Sequence, residues 1–159
     1  MSLKLNYFSS AFRICVDEVR DHYISGRIVS QRLMEPVPFS DINQLISQLD
    51  AAMDGQQYPK AFQQIRSFKA GNIQDSIHKL PLAMCNDEMI SGEDISALCG
   101  KTATFQLHIT LRQNASWQGF INWMDMNARQ EFNSTLEFLN ILDHKISLWA
   151  EERQRKESV

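Results

Sequence analysis

Residues 105–121 read FQLHITLRQNASWQGFI, and the order of apolar and polar side chains along them decides the fold. Phe105, Leu107, Ile109 and Leu111 alternate with Gln106, His108, Thr110 and Arg112, the period of a strand with one buried face. A polar turn, Gly119 and a second apolar alternation around Ile121 follow, and two strands joined this locally pair antiparallel.

The same order of signals occurs earlier in the chain. Residues 12–53 lie over residues 105–146 without a gap, matching Phe12 to Phe105, Ile14 to Leu107, Val16 to Ile109, Gly26 to Gly119, Ile28 to Ile121 and Phe39 to Phe132. Each copy then offers a helix start, Asp41 with Gln44 and Ser134 with Glu137, both in capping-box spacing. Beyond the caps the apolar period changes to that of one helical stripe. It runs through Ile42, Leu45, Ile46, Leu49 and Met53 in the first copy, and Phe138, Leu139, Leu142, Ile146 and Trp149 in the second. Gly55 reads as the residue that ends the first helix, and the second is expected to reach about Arg153.

Each copy is thus a strand-strand-helix unit with one hairpin face and one helix stripe uncovered, so two units should share a core. The expected fold is α+β in a single domain over residues 1–159: two pseudo-repeated units, about 12–54 and 105–153, share an antiparallel sheet of at least four strands. The helices pack on one face. Residues 55–104 form the linking segment, where a strand over residues 58–68 and helical turns at residues 76–80 and 95–98 are the readable elements.

The chain of 159 residues carries 16 Lys+Arg against 19 Asp+Glu, a net charge of −3. That balance gives no general attraction to nucleic acid or to an anionic membrane. The N-terminus, MSLKLNYFSS, lacks the apolar stretch of a signal peptide, and nowhere do about 18 apolar residues run together, so a cytoplasmic location is expected. Cys15, Cys85 and Cys99 are odd in number and lack CxxC spacing, which reads as reduced thiols.

The densest polar and aromatic cluster is the turn of the second hairpin. Arg112, Asn114, Ser116, Trp117, Gln118 and Gly119, followed by Trp123, combine a guanidinium, amides and indoles that could hold a small ligand or a partner on an exposed turn. The same residues also suit a purely structural turn, with Asn and Ser bonding their own backbone and the indoles capping a core. His22, His78, His108 and His144 are scattered, with no HExxH, Cys/His grouping, GxSxG or phosphate-binding glycine loop. Neither metal nor cofactor is expected, and the reading leans away from an enzyme. Gln106, His108, Thr110 and Arg112, with Arg13, Cys15 and Asp17 in the first copy, read as the outward sheet face, either solvated or a moderately polar interface. A non-enzymatic module binding a protein partner or itself, as a homodimer through a sheet face or edge, is the expected function; a small-ligand sensor built on the 112–123 hairpin is the alternative.

The run RQNASWQG at residues 112–119, the helix start at residues 132–139 and the closing Leu142-Asp143 resemble an uncharacterised family of small proteins from Gram-positive anaerobic bacteria. The first copy is similar to it only through its helix start at residues 39–50, and the resemblance implies no activity. Within the same run, Asn114-x-Ser116-x-x-Gly119 resembles the [D/N]xSxxG element of PilZ domains, which implies that these three residues contact a cyclic dinucleotide. The RxxxR pair that completes a PilZ site has no counterpart in this sequence.

Overall fold

The two alternating apolar runs become the neighbouring strands at the centre of one sheet. A computed structural model describes residues 4–6, 9–21, 23–59, 80–113 and 116–157. Along them run β1 (Phe12–Arg20), β2 (Tyr23–Val29), β3 (Val37–Phe39), α1 (Ile42–Gln56), α2 (Gly92–Ser96), β4 (Ala103–Gln113), β5 (Ser116–Trp123), β6 (Ala128–Phe132) and α3 (Thr135–Glu157). A 3₁₀ turn at Asn86–Glu88 precedes α2. Among the described residues the sheet has six strands, every neighbouring pair antiparallel, in the order β3-β2-β1-β4-β5-β6. Two of them, β3 and β6, occupy stretches too short or too polar to alternate. Both are edge strands, and in β6 every residue before Phe132 is exposed, so burial does not constrain its sequence.

One face of the sheet carries the main core. Phe12, Ile14 and Val16 of β1 join Phe105, Leu107 and Ile109 of β4 beneath α1 and α3. From the helices come Leu45, Leu49 and Met53, then Phe138, Leu142, Ile146 and Trp149. Most of each apolar stripe read from the sequence is buried here; Ile42 and Ile46 are half-buried against this core, and Ile141 packs against it where the stripe had Leu139. Asp41 caps α1 by accepting the Gln44 N–H at 2.7 Å, and Ser134 accepts the Glu137 N–H at 3.0 Å. The side chains of Gln44 and Glu137 reach back to the backbone N–H groups of Ser40 and Asn133.

Gly55 does not end α1. The helix runs one residue past it, and Gln57 adopts the left-handed conformation, φ 51°, with its N–H turned back to the carbonyls of Asp54 and Met53. The second helix continues beyond Arg153 to Glu157, and Arg153 donates to the Val19 carbonyl at 2.6 Å.

The helices do not all lie on one face. On the side away from α1 and α3, residues 86–102 cross the sheet as a strap whose apolar contacts are Ile95, Ile90 and Leu98 against Cys15 and Val29. Arg13 holds the strap by donating to the carbonyls of Leu98 (2.6 Å) and Ser96 (3.3 Å). Arg27 donates to the Cys99 carbonyl and pairs with Asp17 at 3.1 Å, while Gln31 donates to the Ile90 carbonyl. Arg13 and Cys15, read as part of an outward face that is either solvated or a moderately polar interface, are buried, and the strap covers them. The strand expected over residues 58–68 lies outside the described residues beyond Pro59, as does the turn at 76–80 up to residue 79. The helical turn at 95–98 falls at the end of α2. Among the described residues no helix is long and apolar enough to cross a membrane.

Candidate functional site

Two β-bulges decide where the hairpin residues point. The β1–β2 register shifts between Val16 and Glu18, and the β4–β5 register shifts between Ile109 and Leu111. An extra residue reverses the side-chain alternation beyond it. Arg112 therefore leaves the outward face to which period two assigns it and turns in beneath α1, where it is 5% exposed. Its Nη1 lies 2.6 Å from Asp54 and 3.5 Å from Asp50, and its Nε donates to the Pro59 carbonyl at 2.7 Å. Leu111, counted with the core strand face, is only half-buried.

The rest of the hairpin cluster is used by the fold in the same way. Trp117 is 4% exposed, packs on Phe138 with centroids 6.0 Å apart, and hydrogen-bonds the Asp50 carboxylate. Burial pushes the Asp50 carboxyl up and neighbouring Asp54 adds to this, against the opposing pull of Arg112 and the Trp117 bond. Trp117 N–H donates to Thr135 Oγ1, and Thr135 N–H donates to Ser116 Oγ, both at 2.9 Å. This reciprocal pair ties the start of β5 to the first turn of α3. Gly119 lies so close to β4 that a Cβ there would meet the His108 carbonyl oxygen at 1.9 Å. Trp123 is buried between Phe105 and Trp149, with Lys145 Nζ 4.7 Å from its ring centroid. Gln118 is half-buried, and Asn114 lies outside the described residues. Among the described residues, Arg112, Trp117 and Trp123 of the cluster expected to hold a ligand are buried core groups, and Ser116 ties β5 to α3.

A concave site occurs instead on the strap side of the sheet. There a cleft of about 460 Å³ opens between α2 and the centre of the sheet. Its polar lining is Arg13 from β1, Gln106 and His108 from β4, Asn122 from β5, Gln31 and Ser96, with Ala11, Gly92 and Ile95 completing the wall. Register explains the convergence. Arg13 pairs with Gln106, and Gln106 pairs with Asn122, so three side chains stand in one row across three adjacent strands. His108, one step along the same face, pairs with Phe120 and stacks on it at 4.5 Å between ring centroids. The Arg129 guanidinium lies on that phenyl ring as well, 3.5 Å from its centroid.

Among the described residues the cleft lining carries one fixed charge, the Arg13 guanidinium, and no carboxylate. Burial pulls the His108 pKa down and Arg129 lowers it further, so the imidazole is uncharged at neutral pH. Arg13 is largely committed to the strap carbonyls. What remains are amides, an imidazole and a hydroxyl, each able both to donate and to accept. Among the described residues no three His, Cys, Asp or Glu side chains gather as a metal site. Burial raises the pKa of the Cys15 thiol, against the opposing pull of Arg27 and Arg13, which suits a packed group better than a nucleophile.

A further buried cation stands near Arg112 at the exit of α1. Arg32, 1% exposed, donates to Gln56 Oε1 at 2.8 Å and to the Tyr58 carbonyl, and its guanidinium carbon lies 4.6 Å from the Phe12 ring centroid. Burial, then the charge of Arg112, pull its pKa down to about 9, which still leaves it a cation at neutral pH. Arg32 and Arg112 thus hold the successive carbonyls of Tyr58 and Pro59 at the exit of α1. Gln31 and Asn122 carried no sequence signal as cleft residues. Their role depends on a cross-strand register that the bulges displace, and on a strap that no periodicity announces. Comparison with protein-family models, with curated proteins and with solved structures finds no match to this chain.

Proposed function

We propose that the protein is a non-enzymatic binding module whose binding surface is the cleft on the strap side of the sheet. The observation that carries this reading is the row Arg13, Gln106 and Asn122, aligned across three strands at the floor of a cleft of about 460 Å³. That volume lies within the range of ligand sites. Paired amides beside a neutral imidazole suit a partner that presents uncharged donors and acceptors together, as a peptide backbone does. We rank the ligand-sensor reading on the 112–123 hairpin second, because Arg112, Ser116, Trp117 and Gly119 are engaged in contacts within the protein.

The test is amide chemical-shift mapping with uncharged N-acetyl dipeptide amides. Saturable shifts at residues 13, 31, 106, 108 and 122, lost in Gln106→Ala while the fold is kept, are expected. Shifts scattered over the surface, or none, would remove the cleft as the binding surface.

We also infer that the chain is built from two pseudo-repeated units, each now strand-strand-strand-helix. Gly26 and Gly119 support this, because a Cβ at either would meet a carbonyl oxygen of the neighbouring strand at the same 1.9 Å and each lies opposite an edge-strand Phe, Phe39 or Phe132. The bulges after Val16 and Ile109 and the side-chain caps at Asp41 and Ser134 fall at corresponding positions as well.

A further inference from the structure

The two edges of the sheet differ chemically. β3 is three residues long, is preceded by Pro36 and has Pro38 at its centre, so it offers few donors to an added strand. β6, reading ARQEF, has no proline and, among the described residues, no strand on its outer side, with Ala128, Arg129, Gln130 and Glu131 all exposed. Arg129 pairs with Asn122 and Glu131 with Phe120, which puts both charges on the cleft side of the sheet. Gln130 lies on the helix side and accepts from Trp123 Nε1 at 3.3 Å. Among the described residues neither Arg129 nor Glu131 has an ion-pair partner.

We propose that β6 is a self-recognition edge, and that its partner is the β6 strand of a second copy of this chain. Charges on an edge strand ordinarily guard it against pairing. Here their order makes the edge complementary to itself. In an antiparallel pair related by a two-fold axis through Gln130, Arg129 stands opposite Glu131 of the second copy and Glu131 opposite its Arg129. A parallel pairing, or a shift by one residue, loses both matches. The same axis brings the exposed Met124 and Met126, just before β6, toward the exposed Leu136, just after β6, of the second copy. Apolar surface exposed at both ends of the strand is thereby covered in one arrangement. The two-fold axis also keeps both helix layers on one side, so the two sheets continue as one. The contact adjoins the cleft, since Arg129 lies on the Phe120 ring against which His108 of the cleft lining stacks.

Sedimentation equilibrium of the full chain over a concentration series, for wild type, Arg129→Glu, Glu131→Arg and an equimolar mixture of the two variants, tests the proposal. Both positions are exposed, and unchanged far-UV circular dichroism checks that the variants fold. The wild type is expected to dimerise. Each single variant, now carrying two like charges along the edge, should raise the dimer Kd by about tenfold or more. The mixture should restore association, because the edge that carries two carboxylates in one variant then faces the edge that carries two guanidinium groups in the other. A wild type that stays monomeric at the highest concentration overturns the proposal. So do a dimer indifferent to both substitutions and single variants that the mixture does not rescue.

Discussion

The Arg112 guanidinium, buried on the last turn-proximal stretch of β4, sits 2.6 Å from a carboxylate oxygen of Asp54 near the end of α1. That pair joins the second hairpin to the first helix, and the Arg112 bond to the Pro59 carbonyl extends the tie to the chain leaving that helix. Arg112→Met should keep the apolar volume while leaving a carbonyl and two carboxylates without their cation. Asp54 is partly solvated, so the loss is smaller than for a fully buried pair, about 2 to 3 kcal/mol in a urea titration. The amide shifts of the cleft residues should not move. A wild-type midpoint would show that the tie is dispensable.

Gly26 and Gly119 make a second prediction. A Cβ at either would stand 1.9 Å from a carbonyl oxygen of the neighbouring strand, of Cys15 or His108, and backbone cannot step aside as a side-chain tip can. Gly26→Ala and Gly119→Ala should each cost about 3 kcal/mol or more, and by similar amounts. Equilibrium unfolding of the two variants side by side measures this, and a large cost at one position with none at the other would count against the matched units.

His108 makes the fold sensitive to mild acid. Its native pKa lies below the ordinary 6.5, first through burial and then through Arg129. The unfolded chain therefore takes up the proton first, and stability falls as pH drops through 6.5 toward the native value. Above 6.5 both states are neutral and the effect is absent. The melting temperature should decline between pH 7.5 and pH 5 in wild type, and decline less in His108→Asn. Parallel declines would assign the acid response to other groups.

How far the fold was legible in the sequence depends on where burial acts on one side only. Phe12 to Val16 and Phe105 to Ile109 alternate because their core-side residues pack beneath helices, and those runs read correctly as strands. The helix starts at Asp41 and Ser134 were legible for a local reason: a side-chain oxygen three residues before an N–H satisfies it wherever the rest of the chain goes. β6 was illegible because an exposed edge strand has no buried face to impose a period. The end of α1 was misplaced because Gln57, held by two helix carbonyls, takes the left-handed position that a glycine usually fills.

The candidate site was decided elsewhere. Sequence by itself determined the secondary-structure elements that carry strong periods or caps, the two apolar helix stripes, and the outward direction of Gln106 and His108 before the bulge. Only the tertiary structure decided that Arg112 turns inward, that residues 86–102 strap the other face, and that Gln31, Gln106 and Asn122 share a cleft. The physical reason is the range of the interactions. Caps and periodicity are set by residues three or four apart, whereas one extra residue in a bulge reverses every side chain after it, and cross-strand rows join residues distant along the chain.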